Sequence, residues 1–197
     1  MKKILCFILA LCLIMTAGGG GKNGESDTSS NSSSAFKGSI KVPDEIPISF
    51  ILAPTQNTSW NTKLTLNKDG TFSGEYHETL VDQTEDGAFT LISLCNFEGY
   101  FKAIEKIDDF TYRLTIGEYK TELGLGDEWV ENGIFYQSAE PFGISNCQEF
   151  MLYLPGKITG ALPDSFLMWV NHKIYNGKLQ TYALHNTANG FGFVEAD

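Results

Sequence analysis

Residues 60–80 constrain the fold of this chain more than any other part of the sequence. Apolar and polar side chains alternate on both sides of a short central segment, Asn67-Lys68-Asp69-Gly70. Alternation with a period of two is typical of a β-strand that buries one face. Gly adopts positive φ without steric cost and Asn or Asp stabilises tight turns, so the segment predicts a β-hairpin. The predicted inward side chains are Trp60, Leu64 and Leu66 before the turn, and Phe72, Tyr76 and Leu80 after it.

Alternating apolar residues recur along the rest of the chain and predict an all-β fold. Further strands are predicted at 46–52, 89–101, 110–116, 134–137, 148–154, 179–184 and 191–194. Gly99 within the long run indicates a bend or bulge, as closed sheets need at their corners. About eight strands, with turn signals every 8–12 residues or so, are typical of a sandwich or a barrel.

The segments between these strands are less regular. The polar run at 82–87 predicts a loop, and the acidic stretch within 118–133 fits either a loop or a helical turn that carries Trp129. Pro163-Asp164 predicts the start of a short apolar helix over 166–170. Helical patterns are too few for an α/β fold.

Three regions are predicted along the chain. Residues 1–17 have the organisation of a signal peptide, with Lys2 and Lys3 before an apolar stretch too short to span a bilayer comfortably. Residues 18–37 form a Gly/Ser-rich segment that cannot bury enough apolar surface to fold, which predicts a disordered linker. Residues 38–197 have the length of a single domain.

The N-terminal region resembles a Gram-positive lipoprotein signal, in which a small residue precedes a lipidated Cys. Gly19 stands where that Cys is expected, so a lipid anchor is not predicted. We expect export to the cell surface or the extracellular space. Membrane attachment is expected only through the N-terminal signal, if that signal stays uncleaved.

The formal net charge of −10 at pH 7 restricts the partners. Nucleic acids and anionic membrane surfaces attract clusters of Lys and Arg, and this sequence has no basic cluster. Neither is expected to bind. The acidity also keeps an exported protein soluble.

Two thiols, Cys95 and Cys147, follow the signal region. Their wide spacing gives no support for a zinc or redox site. One Cys95–Cys147 disulfide and two separate buried thiols are both compatible with the sequence, and we take the disulfide as a tentative prediction.

No motif for catalysis, metal binding or cofactor binding occurs in the sequence. Glu75 and His77 share the polar face of the hairpin, which is the solvent side. His172 and His185 lie far apart along the chain, without a metal-binding spacing between them. An enzyme is therefore not expected, and neither is a metal or a cofactor.

Several short motifs between residues 54 and 155 resemble those of a known set of proteins. They are Ser59-Trp60 and the segments 69–74 (DGTFSG), 97–101 (FEGYF), 107–112 (IDDFTY) and 153–156 (YLPG). With them the chain resembles a family of uncharacterised exported proteins and lipoproteins of Gram-positive gut bacteria. Its early tryptophan and successive hairpins also resemble the calycin type of barrel, which lipocalins share. The resemblance implies an antiparallel up-and-down barrel of about eight strands, with a short helix near the C-terminus, and brings no activity.

The aromatic residues, 13% of the chain, leave two functions open. In the first, the barrel interior binds a small apolar ligand. In the second, the interior is solid and the outer surface binds an envelope protein or polysaccharide. Outward candidates for the second function are Tyr100, Tyr119, Trp129 and Tyr153. Phe110 is also predicted to point inward, and the candidate ligand-binding residues are Trp60, Phe72, Tyr76, Phe97, Phe101 and Tyr112.

Overall fold

The computed structural model describes residues 46–54, 59–84 and 87–196. The predicted signal peptide (1–17) and linker (18–37) lie outside the described residues. The described part contains one α-helix, α1 (Asp164–Val170), followed by a 3₁₀ turn (Asn171–Lys173). Its strands are β1 (Ile48–Leu52), β2 (Trp60–Leu66), β3 (Thr71–Thr84), β4 (Gly87–Asp108), β5 (Thr111–Thr121), β6 (Glu128–Glu131), β7 (Ile134–Ser138), β8 (Glu149–Tyr153), β9 (Ile174–Tyr175), β10 (Lys178–Leu179), β11 (Ala183–Asn186) and β12 (Gly192–Glu195).

Eight of these strands form a closed antiparallel barrel. Its order is β1–β2–β3–β4–β5–β8–β11–β12, and β12 pairs with β1 to close the ring through Phe50↔Glu195 and Ile51↔Val194. Each barrel strand lies beside the strands that precede and follow it among the eight, which is the up-and-down topology. Closure removes the exposed edges that an open sheet would have. The predicted fold class is confirmed, including the short helix near the C-terminus.

The predicted hairpin forms with the predicted register. Leu66 pairs with Phe72 across the turn, and Gly70 there has a φ of 82°. Asp69 braces the turn because its Oδ1 accepts hydrogen bonds from the Thr71 backbone N–H at 3.0 Å and hydroxyl at 2.6 Å. These bonds favour the charged carboxylate and lower the pKa of Asp69.

Two apolar clusters flank the barrel wall. The inner cluster fills the barrel, and the outer cluster lies between the wall and α1, where Phe166 and Val170 of the helix are fully buried. β11 contributes to both clusters because its side chains alternate, with Leu184 in the inner cluster and Ala183 in the outer one. The helix thus covers an apolar part of the outer wall.

A loop at 139–147, which we term the cap loop, closes one end of the barrel. Inward-facing Thr62 of β2 donates from Oγ1 to the Phe142 carbonyl at 2.9 Å. Asn186 of β11 donates from Nδ2 to the Gly143 carbonyl at 2.8 Å. Both donors are fully buried, so each hydrogen bond also satisfies a polar group that would be costly to leave unpaired. The cap loop is thereby fixed to two separate strands of the ring, β2 and β11.

Beyond the barrel, a four-stranded sheet continues from β3 and β4. It consists of residues 79–84 of β3, residues 87–94 of β4, then β7 and β6, and we term it the extension. β7 pairs in parallel with β4, from Leu91↔Phe135 to Leu94↔Ser138. β6 pairs with β7 in antiparallel orientation, from Glu128↔Gln137 to Glu131↔Ile134.

The extension corrects two sequence predictions. The polar run at 82–87 was predicted to be a loop, but β3 reaches Thr84 and β4 begins at Gly87. Trp129, predicted on a loop or helical turn, lies on strand β6. Cross-strand pairing with β7 stabilises this acidic segment as a strand, and such a non-local partner is invisible to local periodicity.

Three further predictions are wrong in detail. Phe110 lies in the turn before β5 and is 44% exposed instead of pointing inward. Tyr153 was predicted to face outward into solvent, but α1 covers it, with its ring centroid 5.2 Å from that of Phe166. The strand predicted at 179–184 is β11, which begins only at Ala183.

Candidate functional site

The six aromatic residues predicted to bind a ligand lie in or against the inner cluster. Trp60 and Tyr112 are partly buried, and the other four are buried: Phe72, Tyr76, Phe97 and Phe101. Four of the rings lie on β2, β3 and β5, and Phe97 and Phe101 lie on β4. The structure therefore brings these residues together inside one ring of strands.

Inside the barrel these rings contact one another. The Phe72 centroid lies 5.0 Å from that of Phe101 and 6.4 Å from that of Phe97. Phe101 in turn lies 5.8 Å from Phe150 of β8 in an edge-to-face arrangement. Such distances are those of packed aromatic pairs. Side chains thus occupy the space between the rings.

At the closed end, aromatic residues of the cap loop complete the packing. The Phe142 ring lies 5.0 Å from Trp60 and 5.8 Å from Tyr76. It also lies 4.8 Å from Phe191, which precedes β12. Phe142 therefore occupies the position that a ligand would need to enter from this end.

The two thiols are separate in the structure. Cys95 and Cys147 are both buried and free, so the tentatively predicted disulfide is not formed. Cys147 donates from Sγ to the Glu149 carbonyl at 3.0 Å, and Cys95 lies 3.8 Å from the Asn96 carbonyl. Burial, with a contribution from the charge of Glu140, raises the pKa of Cys95 to about 11. Each thiol is thus satisfied locally.

The histidines are dispersed. His185 is buried in the outer wall beneath α1, where its ring lies 4.7 Å from Phe166. Burial lowers its pKa to about 4, so it is neutral at physiological pH. Within residues 46–54, 59–84 and 87–196, no three His, Cys, Asp or Glu side chains lie close enough together to hold a metal ion.

A large groove of about 770 Å³ lies on the outer wall where β2, β3, β4 and β5 meet. Its polar side chains bond to one another: Lys63 to Glu75 at 2.8 Å, and Lys120 to Glu98 at 2.7 Å. Asn96 likewise donates to Glu122 at 2.7 Å. Since these groups already have partners, a ligand there would have to replace existing interactions.

The extension exposes apolar side chains on the face that continues the inner surface of the barrel. This face carries Leu80, Phe89, Val130 and Phe135, of which Val130 is 59% and Phe135 48% exposed. The rings of Phe89 and Phe135 contact at 6.0 Å. They border a cleft of about 360 Å³ that also includes Leu91 and Gln137.

The opposite face of the extension is apolar as well. Val81 is 63% exposed, and the rings of Trp129 and Tyr136 stack at 5.2 Å with an interplanar angle of 8°. Ile92 lies beside Tyr136 on the same face. A sheet with exposed apolar residues on both faces differs from the barrel wall, which buries its inner face. Large exposed apolar patches mark interaction sites.

The charged residues in the two segments that contain the extension are all acidic. Residues 78–94 contain four Asp or Glu and residues 122–140 contain five, while neither segment contains Lys or Arg. These two segments account for −9 of the formal net charge of −10. Within the extension itself the charged residues are Asp82, Glu128 and Glu131, and it contains no Lys or Arg.

Sequence analysis identified Trp129 but missed the surface that contains it. The apolar residues of the extension come from three separate segments, and only the parallel pairing of β7 with β4 brings them together. One signal was available: the polar and apolar alternation of 89–101 begins well before Cys95, the first buried residue of β4. A strand longer than a barrel needs must continue outside it.

No family model, no curated protein and no solved structure matches this chain. Among the helices of the described residues, none has the length and apolar character needed to cross a membrane. The surface chemistry of the extension and the packing of the barrel are the observations that bear on function.

Proposed function

We propose that this chain is a non-catalytic interaction module, exported to the cell surface or the extracellular space, that binds a basic partner protein through its extension. The barrel serves as the scaffold. The observation that carries the proposal is an apolar sheet, exposed on both faces, whose charged residues, Asp82, Glu128 and Glu131, are all acidic. Apolar contact supplies affinity at such a surface, and charge selects the partner and speeds encounter.

The packing of the interior supports a scaffold role. Contacts among Phe72, Phe101 and Phe150 fill the barrel, and Phe142 closes one end. A ligand-binding barrel instead needs an open, lined cavity. The alternative function, a small apolar ligand held inside, would require these rings to move apart.

Charge also limits the class of partner. Anionic envelope polysaccharides and anionic lipid surfaces would be repelled by the three carboxylates of the extension, which contains no Lys or Arg. A protein surface with Lys or Arg around apolar side chains is complementary in both respects.

A synthetic peptide composed of lysine and leucine serves as a probe in titration calorimetry. We expect it to bind, with an affinity that falls as salt is added, whereas a glutamate and leucine peptide should not bind. Phe135→Ser with Val130→Ser should weaken binding about tenfold or more, as the loss of a central apolar contact does. Ile158→Ser, at a residue 66% exposed outside the extension, is the matched control and should leave binding unchanged.

A fluorescent fatty acid tests the alternative function. Stoichiometric uptake that an unlabelled fatty acid displaces, and that Phe135→Ser does not affect, would favour a ligand in the interior and contradict the proposal. Equal binding of the lysine and glutamate peptides would contradict it as well.

A further inference from the structure

Strand β6 has one free edge. It is the last strand of the sheet, and within the described residues it pairs with β7 alone. The two strands are joined at Asn132 and Gly133, whose φ values of 50° and 81° are those of a two-residue hairpin turn. Free edges of this kind accept additional strands from other chains.

The turn determines which backbone groups lie at that edge. In a two-residue hairpin the flanking pair, Glu131↔Ile134, exchanges hydrogen bonds, and bonded pairs then alternate along the ladder. The backbone groups of Glu131 and Trp129 therefore point toward β7. Those of Glu128 and Val130 point away from it, and offer N–H donors and carbonyl acceptors to a new strand.

The side chains of β6 define what such a strand must carry. Glu128 and Val130 lie on the face that continues the inner surface of the barrel, and Trp129 and Glu131 lie on the other face. Along the edge the order is acid, apolar, apolar, acid. Residues directly opposite each other in a ladder interact, and opposite charges or paired apolar groups are favourable there.

We infer that the partner adds a β-strand to the free edge of β6, and that this strand reads basic, apolar, apolar, basic opposite residues 128–131. The inference rests on the proposed function and specifies how the same surface binds. The required pattern is symmetric, so it holds whether the added strand runs parallel or antiparallel to β6. The edge offers few main-chain hydrogen bonds, so the charge pairs carry much of the selectivity.

The same pattern argues against a second copy of this chain as the occupant. Two β6 strands paired in antiparallel orientation through the edge groups of Glu128 and Val130, with Trp129 opposite its own copy, would place Glu131 opposite Asp127 twice. Like charges directly opposite each other destabilise a ladder. A basic partner places a Lys or Arg opposite Glu131 instead.

The test uses the purified exported chain and a blocked peptide with Lys-Val-Val-Lys at its centre. We expect binding, monitored by calorimetry and by backbone NMR shifts centred on β6. A peptide with Glu-Val-Val-Glu should bind at least about tenfold more weakly, given the reversal of two charge contacts. In the Glu128→Lys/Glu131→Lys variant the preference should reverse. Glu118→Lys, an exposed change on β5 of the barrel, should keep the original preference.

A peptide N-methylated at the residues that bond to the edge separates the inference from the proposed function. Methylation removes the N–H donors while the charges and side chains remain, so strand addition predicts a loss of binding of about tenfold or more. Unchanged binding of the methylated peptide, still sensitive to Phe135→Ser, would overturn strand addition and leave the proposed function standing. Absence of binding by every cationic peptide would overturn both.

Discussion

At the scale of single residues, His185 links stability to pH. Its pKa of about 4 in the folded protein lies below the value of 6.5 expected when the chain unfolds. The unfolded chain therefore binds a proton first, so stability is complete above pH 6.5 and falls as the pH drops toward 4. The loss from this residue reaches about 3 kcal/mol at pH 4.

Urea unfolding of the natural chain and of His185→Leu at several pH values measures this link. Carboxylates titrate in both proteins, so the difference between the two isolates the histidine. We expect the natural chain to lose more stability than the variant between pH 6.5 and 4. Tyr153, 3.5 Å from His185 Nδ1, has a pKa raised to about 12 and does not titrate in this range. If the free energy of unfolding changed equally with pH in both proteins, the prediction would be wrong. The imidazole would then bind protons as readily in the folded state as in the unfolded one.

Single substitutions also test the register of the hairpin. Phe72 is fully buried, so Phe72→Ala should cost about 3–5 kcal/mol. Glu75, three residues along the same strand, is on the outer face and bonds only to exposed Lys63. Glu75→Ala and Thr65→Ala should each cost about 0.5 kcal/mol or less. Thermal melts that ranked these variants in the opposite order would mean that the strand is shifted by one residue.

The state of the two thiols is a third prediction at this scale. Cys95 and Cys147 are free and buried, so both should resist alkylation in the folded protein and react fully in denaturant without a reductant. The raised pKa of Cys95 reinforces this because the thiolate is the reactive form. Mass spectrometry counts the adducts. Two unreactive thiols in denaturant would demonstrate the disulfide that the sequence suggested.

At the scale of elements, the cap loop depends on one glycine. Gly143 has a φ of 82°, and a Cβ there would lie 2.6 Å from Leu52 Cδ2 and 2.9 Å from Phe193 Cζ. Gly126 has nearly the same φ, 81°, and nothing within 4 Å of its Cβ position. The two glycines share a backbone requirement and differ in packing.

Gly126→Ala should therefore cost about 1–2 kcal/mol, from the backbone alone. Gly143→Ala should cost a further 1–3 kcal/mol or so, because the new methyl group overpacks the end of the barrel. Denaturant titrations of both variants measure the difference. Equal losses would indicate that the cap loop moves away from the barrel at little cost.

At the scale of the whole molecule, the barrel and the extension should differ in local stability. The barrel strands enclose the inner cluster, whereas β6 and residues 80–81 of β3 are exposed for the most part and lie at sheet edges. Amides of β1, β11 and β12 should exchange with deuterium only on global unfolding. Amides of β6 and of residues 80–84 should exchange earlier, through local opening. Uniform protection across both parts would contradict this.

Most of the barrel could be predicted from the sequence because its signals are local. The turn at 67–70, the alternation in β1, β2 and β3, and the start of α1 depend on residues that are neighbours in the chain. Those patterns also identified the inward aromatic residues, apart from Phe110, which lies in the turn before β5. The turn includes Phe110, so the inward positions of β5 begin at Tyr112.

The extension could not be predicted, since its signals are non-local. β6 has only two apolar residues between two acids, and local propensity does not specify a strand there. Its partner β7 joins β4 across roughly forty residues of chain, beyond the reach of any periodicity. The acidic bias of residues 78–94 and 122–140 was visible along the sequence, but the topology was needed to show which acidic residues lie on the extension.

The continuity of β4 has a mechanical consequence. This single strand of 22 residues pairs with β3 over its first part and with β5 over its second, so it runs from the extension into the barrel wall as one strand, and its pairing with β5 shifts register after Tyr100. A pull exerted on the extension along this strand loads its hydrogen bonds in shear, and they must yield together. A pull across the strand would instead unzip them one at a time. Held by a partner at one end, the domain is therefore strongest when the force follows β4 into the barrel.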